Sequence, residues 1–164
     1  DRKRRRIALM GRATNSAIQA NANKRAPYIG DVNFNRAIQP SSFKHTCVII
    51  VSGDGINFCG HSLLHLGGSG WYFHVAGFNE VPRSMNEAGY QRYLKEGGKH
   101  EIRRWTVPIP NPRGAHRKLE ELLAKRWQWL LLPSNCVSFV EEIVLAGGSK
   151  AHMHYNCPTL EAFT

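Results

Sequence analysis

The sequence has no apolar run long enough to cross a membrane. Its longest, Trp127 to Pro133, falls far short of the roughly 18 residues a span needs, so a soluble protein is expected. Acids are scarce: 12 Asp and Glu stand against 22 Lys and Arg, a formal charge of +10. There is no CxxC pair and no dense cysteine framework. Cys47, Cys59, Cys136 and Cys157, spread over 164 residues, point to thiols or a reactive site rather than a disulfide scaffold, with a Cys47–Cys59 bridge left open. Phosphate-cradling loops are missing, because Gly53-Asp54-Gly55 lacks a third glycine and a following Lys-Ser/Thr. No classical secretory signal is read, since Arg2 to Arg6 is followed only by Ile-Ala-Leu-Met before Gly11 and Arg12. A chain that opens on Asp1 is expected to be a fragment or a processed form.

What is present suits one globular domain. Hydrophobic residues make up 42% and charged residues 21%, so a real core can form. The charge is uneven: residues 1–26 carry eight basic residues against Asp1 alone. Residues 1–44 are punctuated by Pro27, Gly30, Asn33, Asn35 and Pro40, with a weak helical stretch at Ala13 to Ala22. They read as a basic N-terminal extension, a linker or a peripheral wrap, and residues 45–164 as the ordered domain. Thr46 to Val51 is β-rich and ends in turn chemistry at Ser52 to Gly55. Ile56–Leu66 and Trp71–Ala76 read as two more strands joined through Gly67-Gly68-Ser69-Gly70. Residues 83–100 suggest a short helix and loop, and Ile102–Ile109 a strand. Asn111-Pro112 starts a helix with Ala115, Leu119 and Leu122 at helical spacing. A second helix begins at Ser134 or Asn135 and stops at Gly147-Gly148.

Cys136 falls in the first turn of that second helix. Unpaired backbone N–H groups and the positive end of the helix dipole gather there and favour thiolate, the nucleophilic form. The bland alternative is a cysteine that only fills space. Two histidines tilt the balance. If the glycine-rich connection turns through Gly68-Ser69, Leu66 opposes Trp71, Leu63 opposes His74, and His61 lies diagonally across from His74 on the same face. A loop one residue longer would separate them. His65 shares that face and is the extra candidate, better suited to a surface role beside the turn.

Gly60-His61-Ser62-Leu63-Leu64-His65-Leu66-Gly67, followed by Gly70-Trp71-Tyr72-Phe73-His74-Val75-Ala76, resembles the paired-histidine hairpin of NlpC-type papain-like hydrolases. The order, with histidines before an Asn-Cys helix, resembles their circularly permuted branch, which includes the lecithin:retinol acyltransferase-like proteins. The resemblance covers roughly residues 45–148. It implies an α+β fold, permuted and papain-like, with an antiparallel sheet packed against helices. It also implies that Cys136 attacks a carbonyl, that His61 is the base and that His74 orients it. Asn135 matches the residue just before the nucleophile; it and Trp71 are the candidates for substrate or oxyanion contact. Ser62 departs from the bulky aromatic usual in the acyltransferase branch, and Val137-Ser138 departs from its acidic-histidine pair. Both departures weigh against a lipid substrate.

Competing constellations are weaker. His152, His154 and Cys157, with Cys59 and His61, do not give a usual zinc spacing, so no metal and no cofactor are expected. Eleven basic residues against five acids over residues 83–126, with Tyr90, Tyr93 and Trp105 among them, allow a nucleic-acid-binding module without catalysis. No recognised nucleic-acid module appears, so that partner is not favoured. The resemblance therefore implies a thiol amidase or peptidase with a Cys136-His61-His74 triad, acting on bacterial cell-wall peptides. By the resemblance, it would be an antibacterial effector domain exported by a dedicated machine to a target-cell periplasm. That leaves room for a cognate inhibitor (immunity) protein. A lipid acyl hydrolase or acyltransferase of the same fold is the runner-up.

Overall fold

A computed structural model describes residues 25–53, 58–76, 80–124 and 135–150. They form an α+β fold in which a five-stranded antiparallel sheet packs against three helices. The strands are β1 (Thr46–Val51), β2 (His61–Leu66), β3 (Trp71–His74), β4 (Arg83–Met85) and β5 (Glu101–Thr106), in the order β4-β3-β2-β1-β5. The helices are α1 (Glu87–Glu96), α2 (Pro112–Leu123) and α3 (Asn135–Ala146). No described helix is long and apolar enough to cross a membrane.

Strand β1 is apolar on both faces because the sheet is covered on both. Val48 and Ile50 join Leu64, Leu66 and Phe73 in a core with Leu119 of α2 and Val137, Val140, Ile143 and Val144 of α3. Ile49 and Val51 join Leu63 and Tyr72 in a second core with Tyr90 and Tyr93 of α1. Each fully buried side chain of this kind stabilises the fold by about 1.5–3 kcal/mol. Helix α1 is capped by Asn86, which accepts from the Gly89 N–H at 2.8 Å. Helix α2 is capped by Asn111 with Pro112 in the first turn, as the sequence reading expects.

The second core closes on a polar network. Tyr72 stacks on Tyr90 with centroids 4.2 Å apart. Their hydroxyls donate to Glu87 at 2.5 Å and Glu101 at 2.7 Å, and Arg104 grips Glu101 through two bonds of 2.9 Å. These bonds join α1 and β5 across the sheet.

The hairpin register is the one that puts the histidines together: Leu66 pairs with Trp71 and Leu64 with Phe73. Gly67 and Gly68 are glycines because residues 41–45 cross directly over them. A Cβ at Gly67 would sit 2.5 Å from the His45 carbonyl oxygen, and one at Gly68 2.4 Å from that of Ser41. Of the stretch 1–44, residues 25–44 are described, and they wrap the body. Ile38 and Phe43 are buried in the first core, and Phe34 meets Trp71 and Phe73 edge-on. Cys59 is disulfide-bonded whereas Cys47 and Cys136 are free thiols, so the Cys47–Cys59 bridge left open by spacing is not formed. The helical stretch at Ala13 to Ala22 and the cluster of His152, His154 and Cys157 lie outside the described residues.

Candidate active site

His61 opens β2 and His74 closes β3, so the antiparallel pairing brings them to one end of the hairpin, on the α1 face. Their rings meet edge to face, centroids 4.8 Å apart, with His61 Nε2 2.6 Å from His74 Nδ1. On its far side His74 Nε2 lies 2.8 Å from the carbonyl oxygen of Ile29. His74 is 1% exposed. Burial pushes its pKa down to about 4, with Arg83 and Lys99 adding to the effect and the Ile29 hydrogen bond opposing it. Burial, then His74 and Lys99, holds His61 well below its usual range too. Both rings are therefore neutral at pH 7.

Two neutral rings in this order have one consistent proton assignment, fixed by their partners. A carbonyl only accepts, so His74 carries its proton on Nε2. Its Nδ1 is then an acceptor and takes a hydrogen bond from His61 Nε2–H. The lone pair of the chain ends on His61 Nδ1.

Cys136 reaches the same neighbourhood from the other side of the sheet. It sits in the first turn of α3 within the first core and is 8% exposed. Backbone N–H groups of Ser62, Val137 and Cys136 itself act on the sulfur and pull its pKa down, but burial outweighs them and the thiol is raised. The thiolate expected from the helix start is thus overruled by desolvation, and the resting group is a thiol. Ser62 directly follows His61, so the sulfur stands against the backbone step beside the histidine pair. Among the described residues no hydrogen bond joins the sulfur to His61.

His65 is not part of this chain. Its ring lies against Tyr72 at 4.3 Å and Nδ1 is 3.5 Å from Arg104. Trp71 stands at the opposite end of β3 from His74 and packs on Phe34, so the structure does not bring it to the histidines. Asn135 begins α3; its side chain lies outside the described residues. A groove of about 470 Å³ runs along α2, lined by Phe34, Arg36, Ile38, His116, Glu120 and Leu123, and none of Cys136, His61 and His74 lines it. No group of three described His, Cys, Asp or Glu side chains is placed to hold a metal.

No family model, curated protein or solved structure matches this chain. Two groups at the site carry no side-chain signal in the sequence: the Ile29 carbonyl and the Ser62 N–H. Only Gly30, punctuating the segment beside Ile29, marks the first as a place where the backbone turns.

Proposed function

We propose that the protein is a cysteine-nucleophile hydrolase, with Cys136 as nucleophile, His61 as base and His74 as the residue that orients it. The observation that carries this reading is the anchored histidine pair. His61 is held at 2.6 Å by His74, with its free lone pair on the nitrogen His74 does not use, and Cys136 is packed against the next residue. A neutral imidazole and a neutral thiol suit proton transfer during attack rather than a preformed ion pair. His61 Nδ1 takes the thiol proton as sulfur bonds to the carbonyl carbon. The N–H groups of Cys136, Val137 and Ser62 stabilise the oxyanion. Collapse expels the amine, which leaves with the proton from His61. Water then gives a proton to His61 as its oxygen bonds to the acyl carbon. The C–S bond breaks, and His61 returns that proton to the leaving sulfur, restoring the thiol.

The substrate we propose is an amide in bacterial cell-wall peptides. The excess of eleven basic over five acidic residues at 83–126 suits a polymer bearing carboxylates. The disulfide at Cys59 fits an oxidising compartment such as a periplasm, where an exported antibacterial domain, checked by an immunity protein, would act. The permuted NlpC-type assignment remains part of this proposal and rests on the motif resemblance.

The test is digestion of purified peptidoglycan followed by mass spectrometry. Wild type should release new amine termini, less so at high salt, and Cys136→Ala should release none. Fatty acid released from phospholipid vesicles by wild type but not by Cys136→Ala, with peptidoglycan untouched, would replace this reading with the lipid-acting one.

A further inference from the structure

The segment that reaches His74 is held far more firmly than a surface loop needs to be. Tyr28 donates its backbone N–H to Glu96 of α1 at 2.8 Å, and its hydroxyl donates to Asp31 at 3.0 Å. The Arg92 guanidinium lies over the Tyr28 ring at 4.3 Å. On the other side, Asp31 and Ser84 exchange two backbone hydrogen bonds of 2.9 Å, adding a bridge at the β4 edge of the sheet. Arg83 donates to the Gly30 carbonyl at 3.2 Å. Between these two anchorages Gly30 has φ +98°, which turns the backbone as few side-chain-bearing residues can. A Cβ on Gly30 would lie 3.0 Å from the Arg83 Cβ. The one group this strap presents to the histidine pair is the Ile29 carbonyl, 2.8 Å from His74 Nε2.

We infer that residues 28–31 are a positioning strap whose Ile29 carbonyl selects which nitrogen of His61 is the base. The inference rests on the hydrolase reading for its consequence, but its core is geometric. A carbonyl at His74 Nε2 accepts only N–H, so the proton of the neutral His74 ring is confined to Nε2. That makes His74 Nδ1 an acceptor, and the 2.6 Å approach of His61 Nε2 then confines the His61 proton to Nε2. Without the carbonyl, His74 can carry its proton on Nδ1 and turn the His61 Nε2 lone pair towards itself. His61 Nδ1 is then protonated and useless as a base. Ile29 acts through its main chain, and Gly30 and Tyr28 hold it in place. The strap thus does for His74 what the third member of a triad does for its histidine.

The tautomers can be read directly. In wild type labelled with ¹⁵N-histidine, two-bond ¹H–¹⁵N spectra at pH 7.5 should show His61 and His74 both protonated on Nε2. Gly30→Ala, and separately Tyr28→Ala, should shift at least part of the population to Nδ1–H while circular dichroism stays native. Cys136-dependent hydrolysis should fall by about tenfold or more in step, as loss of the productive tautomer does elsewhere. A wild-type His61 protonated on Nδ1 would overturn the inference whatever the variants do. So would a folded Gly30→Ala or Tyr28→Ala protein with wild-type tautomers and wild-type rate. A wild type with the expected tautomers that cuts no substrate would instead count against the hydrolase reading, leaving the strap's hold on the tautomers intact.

Discussion

His61 and His74 touch through two ring nitrogens 2.6 Å apart, and neither is charged at neutral pH. A pair of histidines this close cannot both accept protons cheaply. The pairing therefore ties the stability of the fold to pH.

His74 has a folded pKa of about 4 against 6.5 in the unfolded chain. Between those values the unfolded state binds more protons, so stability rises with pH. The contribution is fully present above pH 6.5 and is lost as pH falls towards 4. For His74 alone it is on the order of 3 kcal/mol. Urea midpoints measured between pH 7.5 and 4.5 should fall, and His74→Gln should flatten the fall. A midpoint constant over that range would show that the rings are not buried neutral.

Cys47 is a free, half-buried thiol on β1, whereas Cys136 is buried and raised. Iodoacetamide near neutral pH should label Cys47 first, and the Cys136 rate should climb as alkali ionises it. Labelling of Cys136 ahead of Cys47 at pH 7 would mean that the resting site already holds a thiolate.

Replacing each histidine of β2 separates structure from chemistry. His65→Ala removes a ring packed on Tyr72 and should cost about 0.5–1.5 kcal/mol while leaving hydrolysis within a factor of about two. His61→Ala should lower hydrolysis by about a hundredfold or more. If His65→Ala abolishes turnover and His61→Ala does not, the assignment of the base is reversed.

Ser62 is wholly buried, and its hydroxyl has no hydrogen-bond partner among the described residues. Ser62→Ala removes that unmatched polar atom and keeps the backbone N–H that faces Cys136. It should raise stability by about 1 kcal/mol in urea unfolding. A loss of comparable size would show that the hydroxyl is bonded in solution.

The parts of the fold legible in the sequence are those with a strong local cause. The apolar run of β1, the glycines of the hairpin and the Asn111-Pro112 helix start all lie where the residues indicate. The four-residue connection keeps the parity that places His61 and His74 on one face. Strand β4 is three residues long, too short to show a period, and it was hidden in a stretch read as helix and loop. Helix α1 buries little beyond Tyr90 and Tyr93, so its polar surface gives a faint signal. The packing of residues 25–44 could not be read because Ile38, Phe43 and Phe34 are isolated apolar residues with no repeat. At the site, the three side chains stand out in the sequence. The ionisation of Cys136 does not, because helix position is a local property and burial is a tertiary one.

The order of the elements along the chain also sets the order in which the parts of the site are synthesised. Strands β1 to β4 each pair with their neighbour in sequence, and Ile29, His61 and His74 all belong to that first part of the chain. Short loops close early, and during synthesis the N-terminal part leaves the ribosome first. Helix α3 follows every strand of the sheet in sequence and is synthesised after them. The thiol of Cys136 is therefore the last part of the site to leave the ribosome, after the Ile29 carbonyl and both histidines.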